Sequence, residues 1–260
     1  MSIIYEPTGK AREYSALACN LYTGCNHACK YCYAPSIRRM TREVYANPIP
    51  RRNILLDFEK DCKKYYHTEK AVLFCFMTDP YNNIENKLRI TRDALKLCLK
   101  YEIPVKILTK SKSVLQDLDV IKKFGAHISV GMTLTMDNDT DSLLWEPGAS
   151  LPLERIETLK IMHEAGVHTW ASFEPVINPI QSINMIKKTI KWVNHYKVGK
   201  LNNYQGLDKD IDWKVFLQQV IEIIRGGKPF YVKKDLQENA SSIMLYGNEI
   251  QADMFEPEGF

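Results

Sequence analysis

The chain has 260 residues, 45% of them hydrophobic, and a formal net charge of +4. That suits one large domain with a substantial core, and no repeat, low-complexity tract or linker marks a domain boundary. No apolar run approaches a membrane span, and residues 1–6 carry an acid where a signal peptide would be basic, so neither membrane insertion nor secretion is expected. Seven cysteines, an odd number with three in one short loop, do not suit a secreted disulfide framework; a reducing cytoplasm does.

In chain order the pattern alternates strands with helices. Residues 16–22 predict a first strand. Residues 53–66 predict a helix with Leu55, Phe58, Cys62 and either Tyr65 or Tyr66 on one face. An apolar run over 71–78 reads as a strand ending at Asp79-Pro80. Residues 86–101 predict a helix with Leu88, Ala94 or Leu95, and Cys98 inward. A strand over 105–109 precedes a helix over 113–124 capped by Ser113. A strand over 127–135 leads to a helix over 152–165, opened by Pro152 and closed by Gly166. Then follow a strand (168–176), a helix (182–196), a strand (198–202) and a helix (211–225) stopped by Gly226-Gly227; residues 229–233 add a further strand. Six β/α units with right-handed crossovers make a parallel sheet covered by helices. This periodicity fits an open doubly wound sheet and a partial or complete barrel equally well.

Directly after the first strand comes Gly24-Cys25-Asn26-His27-Ala28-Cys29-Lys30-Tyr31-Cys32-Tyr33. Cys25, Cys29 and Cys32, spaced C-x3-C-x2-C, can ligate three irons of a 4Fe–4S cluster. Such clusters normally take four thiolates, so three leave one iron open. Zinc on Cys25, His27, Cys29 and Cys32 is the alternative. Structural zinc sites usually use two separated ligand pairs, and Cys19 and Cys62 supply no second pair. The cysteine loop, Thr78-Asp79-Pro80-Tyr81, Thr109-Lys110-Ser111, Thr133-Leu134-Thr135 and Glu174-Pro175 all fall at C-terminal strand ends, where parallel α/β folds bind ligands. Arg38, Arg39, Arg42, Arg51 and Arg52 stand against Glu43 alone. Such a segment suits a phosphate backbone, another acidic partner, or a solvated face. Tyr33 and Tyr45 are near enough to stack on bases. The tail, with Glu249, Asp253, Glu256 and Glu258, is acidic.

The cysteine spacing resembles the signature of the radical S-adenosylmethionine (radical SAM) superfamily. Residues 23–35, Thr78-Asp79-Pro80-Tyr81 with Glu85, Thr91-Arg92, Thr109-Lys110-Ser111, and Glu146-Pro147-Gly148 with Arg155 look like its spore photoproduct lyase branch, often labelled DNA repair photolyase. The resemblance implies a parallel partial (β/α)6 barrel over a single domain, residues 1–260, with a core of about 14–205 and an extension of about 206–260. It implies a 4Fe–4S cluster on Cys25, Cys29 and Cys32, with SAM on the open iron. Cleavage of SAM to a 5′-deoxyadenosyl radical then drives lyase- or transferase-type chemistry, fed by an electron donor such as flavodoxin or ferredoxin. Thr78 and Asp79 are implied to meet the SAM amino group and Lys110 and Ser111 its carboxylate or ribose. Tyr31 is implied at the adenine and Glu174 at the ribose.

One departure bears on the substrate. The branch carries a cysteine immediately before its Ser/Thr-Asp segment, which returns a hydrogen atom to the repaired thymine. Here Met77 stands there and has no S–H to give. Cys75, two residues earlier on the same strand face, is either a hydrogen donor one layer deeper or a small buried hydrophobe, the usual fate of a free cysteine. Cys19, Cys62, Cys75 and Cys98 are scattered along the chain, so no auxiliary cluster is expected. Three substrate classes follow: a nucleic acid or nucleotide contacted by Arg38, Arg39 and Arg42; a peptide or small metabolite; or none, for a non-catalytic iron–sulfur or zinc protein.

Overall fold

The computed structural model describes residues 2–202, 204, 206–252 and 256–259; Asp253 of the acidic tail lies outside them. The strands are β1 (Ile4–Tyr5), β2 (Leu17–Cys19), β3 (Tyr22–Thr23), β4 (Ile49–Pro50), β5 (Val72–Phe74), β6 (Val105–Thr109), β7 (Ile128–Thr133), β8 (His168–Phe173), β9 (His195–Val198) and β10 (Phe230–Val232). The α-helices are α1 (Ala34–Ile37), α2 (Arg42–Tyr45), α3 (Ile54–Lys64), α4 (Glu85–Leu88), α5 (Ile90–Lys100), α6 (Leu118–Ile121), α7 (Asp139–Trp145), α8 (Pro152–Glu164), α9 (Pro179–Thr189), α10 (Trp213–Ile224) and α11 (Lys234–Asn239).

Eight strands form one sheet in the order β1-β2-β5-β6-β7-β8-β9-β10, and β3 pairs with β4 in a separate ladder. Among the described residues only β1 runs antiparallel in the large sheet; the other pairs are parallel. Alternate residues sort to two faces. Val72, Phe74, Val105, Ile107 and Val130 pack outward with Phe58 and Cys62 of α3 and Ala94, Leu95 and Cys98 of α5. Phe173, Tyr196, Val198 and Val232 do the same against α9 and α10. The inward set shows that the sheet rolls. Trp170 on β8 shares a cluster with Ala18 on β2 and Leu73 on β5, although β6 and β7 lie between them. Gly131 on β7 makes room for that indole, since a Cβ there would lie 2.2 Å from Trp170 Cε2. Lys197 of β9 donates to the carbonyls of Glu13 (2.8 Å) and Tyr14 (3.3 Å), which joins the far strands to the segment before β2. β1 and β10 remain the two edges, so the architecture is a partial parallel α/β barrel. The acidic tail returns to it: the Glu256 carboxylate accepts from buried Lys106 (3.2 Å) and from Ser15 (3.2 Å). Among the described residues no helix is long and apolar enough to cross a membrane.

Several element boundaries differ from expectation for identifiable reasons. The helix expected over 86–101 is broken at Arg89, whose φ of 56° is left-handed, and the Glu85 carboxylate caps the second piece through Thr91 N at 3.0 Å. Leu88 therefore turns outward and Ile90 inward. The helix expected over 113–124 is a 3-10 turn, α6 and a second 3-10 turn. Its cap is Ser111, whose hydroxyl accepts from Ser113 N, rather than Ser113. α9 begins at Pro179 under an Asn178 cap, so β9 closes at Val198, where the expected strand begins. Cys19, Cys62, Cys75 and Cys98, far apart in sequence, meet in one apolar cluster.

Candidate functional site

The cysteine loop is tied off at its base. β3 and β4 pair antiparallel, Thr23 opposite Ile49, which closes residues 24–48 into one flap. Within the flap, Cys25 N donates to Tyr45 O (2.8 Å), and the Arg42 guanidinium donates to Cys29 O (3.0 Å) and Cys32 O (3.1 Å). A second brace comes from the loop after α7. Lys30 N donates to Trp145 O (2.9 Å), Gly148 N donates to His27 O (3.1 Å), and the Tyr31 hydroxyl donates to the Glu146 carboxylate. Glu146 also accepts from Arg155, and both are 1% exposed. Arg155 spends its remaining donors on Ser150 O (2.7 Å) and Thr133 O (3.0 Å). Gly148 is required by this approach, because a Cβ there would lie 2.1 Å from Asn26 O. Backbone thus meets backbone across the loop, and no larger residue fits.

Thr78, Asp79 and Lys110 stand at the adjoining strand ends. Asp79 is held by the protein: one oxygen accepts from Tyr81 N (2.8 Å) and the Thr109 hydroxyl (2.6 Å), the other from Lys110 N (2.9 Å). His27 Nδ1 lies 3.4 Å from the same carboxylate; burial pulls the His27 pKa down, against the opposing pull of Asp79. The Lys110 ammonium sits 5.7 Å from the centre of the Tyr31 ring. Burial disfavours its charge, but Cys29 and Glu146 outweigh burial and raise its pKa. Burial also pushes the thiols up, Cys25 well above the usual range and Cys29 to about 12. A coordinated metal reverses that preference, since it deprotonates a ligating thiol outright.

The structure therefore brings Cys25, Cys29, Cys32, Tyr31, Asp79 and Lys110 into one neighbourhood. Other expected residues are engaged differently. Ser111 spends its hydroxyl as a cap. Glu174 accepts from Tyr14 (2.6 Å) and Lys233 (2.5 Å) inside the barrel mouth. Cys75 packs in the outer apolar layer with Cys19, rather than among the inward residues Ala18, Leu73 and Trp170. Arg38 and Arg39 are exposed on the flap. Sequence reasoning gave no role to Glu146, Arg155 or Gly148 beyond their place in the resemblance. Read alone, an acid, a basic residue nine positions on and a glycine carry no signal of a buried clamp.

The residues present fit the cofactors that such a loop implies. Three thiols share one short, doubly braced loop. Thr78 Oγ1 and, on the strand end beyond β7, Thr135 Oγ1 are buried with no hydrogen-bond partner in the protein. An unpaired buried hydroxyl costs about 1–3 kcal/mol, and a polar ligand would remove that cost. Among the described residues no three His, Cys, Asp or Glu side chains surround a single ion; a cubane asks instead for one thiolate on each of three irons.

A rolled parallel sheet carrying three thiols on the loop at its C-terminal edge defines the class of iron–sulfur α/β barrels. The chain belongs to the radical SAM superfamily, whose family model matches residues 19–193. A protein of Methanocaldococcus jannaschii is 31% identical over 201 residues, spanning 77% of this chain and 74% of the relative. A protein of Acidianus two-tailed virus is 25% identical over 197 residues, spanning 72% and 63%. Among solved structures, Streptococcus suis SuiB bound to S-adenosylmethionine superposes with a TM-score of 0.64 at 13% identity, over 88% of this chain and 53% of SuiB. Spore photoproduct lyase complexed with dinucleoside spore photoproduct gives 0.61 at 12% identity, over 88% and 79%. The chain spans about half the length of SuiB, and both structural likenesses show the fold alone. Members of the superfamily are enzymes that use a 4Fe–4S cluster and SAM and need an electron donor.

Proposed function

We propose that this chain reductively cleaves SAM and uses the 5′-deoxyadenosyl radical to abstract a hydrogen atom from a nucleic acid or nucleotide substrate. The carrying observation is the three-thiol loop braced beside the unpartnered hydroxyl of Thr78. Cys25, Cys29 and Cys32 would hold the cluster. Thr78 would accept from the SAM ammonium, beside an Asp79 carboxylate whose Oδ2, accepting from Lys110 N alone among the backbone and hydroxyl donors, keeps a second lone pair. Lys110 would meet the SAM carboxylate, with Tyr31 at the adenine. The protein supplies orientation and keeps water from the radical; the bound cofactors supply the reactive species. Glu174, paired with Lys233 and Tyr14, would line the substrate side of the chamber rather than contact ribose.

The nucleic-acid assignment rests on the branch resemblance in the Thr78-Asp79-Pro80-Tyr81 and Glu146-Pro147-Gly148 segments. Met77 separates the chemistry from thymine-dimer repair, because no thiol stands where the branch keeps its hydrogen donor, and Cys75 lies in the outer layer. The protein, reconstituted anaerobically, should release 5′-deoxyadenosine when reduced with dithionite. Deuterated oligonucleotides or nucleotides should pass label into that product, and deuterated peptides should not. Label from peptides alone would transfer the reading to peptide modification. A cluster that never yields 5′-deoxyadenosine would leave a non-catalytic iron–sulfur protein.

A further inference from the structure

The flap that carries the cysteines has two sides, and only the inner one is used by the site. Inward, Cys29, His27, Ala34, Pro35 and Tyr45 are buried. Outward stand Lys30, Arg38, Arg39 and Arg42, four exposed cations with one carboxylate, Glu43, among them. The same flap exposes two aliphatic side chains to water, Ile37 at 64% and Val44 at 53%. The 24–48 flap is short and closed by the β3–β4 ladder, so this surface is the outer wall of the cluster loop itself. Arg42 joins the two sides, since its guanidinium bonds the carbonyls of Cys29 and Cys32.

We infer that this basic outer face, with its exposed Ile37 and Val44, is where the acidic electron-donor protein docks, and that Arg38 and Arg39 select it. The inference rests on the radical SAM reading, because that reading is what requires an electron donor to dock. The electron has to arrive at a loop whose inner side is taken up by the site, so the donor must approach from outside. An interface that forms and dissolves each turnover is small and steered by charge. Four exposed cations and two exposed aliphatic side chains on one short flap suit that chemistry. A carboxylate-rich donor meets the cations, and Ile37 and Val44 lose water. A nucleic acid would answer the same charge, with Tyr33 at 48% exposure as its one exposed ring on the flap, whereas the aliphatic Ile37 and Val44 suit a protein partner.

The test separates reductants. Holoprotein is compared with Arg38→Glu/Arg39→Glu, and with the milder Arg38→Gln/Arg39→Gln, for 5′-deoxyadenosine formation driven by dithionite or by a reduced acidic flavodoxin. Both variants should match wild type with dithionite. With flavodoxin, the glutamate variant should need about tenfold more donor for half-maximal rate, the glutamine variant less of an increase, and the salt dependence of both should flatten. Unchanged flavodoxin dependence in both variants overturns the docking assignment. So does a selective loss of oligonucleotide binding with flavodoxin half-saturation intact, which would return the arginines to the substrate. Wild-type protein that fails to cleave SAM even with dithionite would sink the radical reading beneath it, a result distinct from either.

Discussion

Replacing Arg155 with Met tests whether the clamp on the cysteine loop is electrostatic. Arg155 is 1% exposed and donates to Ser150 O, Thr133 O and Glu146, so the substitution removes every one of those bonds and leaves a buried carboxylate facing only Tyr31 and Lys110. Breaking a buried pair from one side costs about 3–5 kcal/mol, which in a chain of this size lowers Tm by about 10 °C. The pH dependence identifies the cause. Burial pushes the Glu146 carboxyl up, but Arg155 and Lys110 together outweigh burial and hold it below the usual range. A depressed folded pKa gives stability that is present above the unfolded pKa and lost as pH falls through the folded one. In Arg155→Met the main depressing charge is gone while burial remains, so the folded pKa rises and Glu146 becomes a liability that grows with pH. The stability gap between variant and wild type should therefore be wider at pH 7.5 than at pH 5. Thermal denaturation of apoprotein under anaerobic reducing conditions, repeated across pH, measures it. An equal gap at both pH values would show that Arg155 acts through packing alone.

Single Cys25→Ala, Cys29→Ala or Cys32→Ala variants should lose the brown chromophore and SAM cleavage; a variant that retains a full cluster contradicts the ligand assignment. Gly148→Ala forces a Cβ to 2.1 Å from Asn26 O, so it should destabilise the protein by about 1–3 kcal/mol and lower iron content after reconstitution; wild-type loading would show that the loop can shift freely. Asp79→Asn places an amide donor against one of three protein donors and should cost about 1–3 kcal/mol in denaturant unfolding, together with SAM affinity. Thr78→Val should leave stability at or above wild type, because the hydroxyl has no protein partner, yet weaken SAM binding about tenfold; unchanged binding by equilibrium dialysis would remove Thr78 from the SAM site.

What was legible in the sequence was what is local. The C-x3-C-x2-C spacing names candidate ligands because a cluster can take them from one short loop, and residues 105–109 declare a strand because Val105, Ile107 and the run around them suit a buried pleat. The Asn178-Pro179 pair was an equally local signal for the start of α9, and reading the helix from 182 pushed β9 too late. Longer-range features were hidden. Nothing in Ile49-Pro50 announces a two-residue ladder to Tyr22-Thr23, and nothing in Glu146 or Arg155 announces their pairing, because both depend on loops from separate strands meeting. Charge counting identified the arginine segment but treated its members alike. Only the fold separates Arg42, spent on two cysteine carbonyls, from Arg38 and Arg39, which face water.

The same separation changes how the strand-end motifs work. Asp79 and Ser111, expected to reach the cofactor, accept from neighbouring backbone N–H groups, and Glu85 and Arg155 are likewise committed to backbone. A hydrogen-bonded carboxylate at a strand end fixes the positions of the next strand's Thr109 and Lys110, so the motif positions the site before it contacts anything. Arg42 holds the cysteine loop from outside and the Glu146–Arg155 pair holds it from inside, through Tyr31. A loop braced on both sides has less freedom to lose, which reduces the ordering entropy that cluster assembly meets. Thr78 and Thr135, buried without protein partners, keep their hydroxyls available to a ligand. The few hydroxyls left without a protein partner thus stand on a frame made by residues of the same motifs.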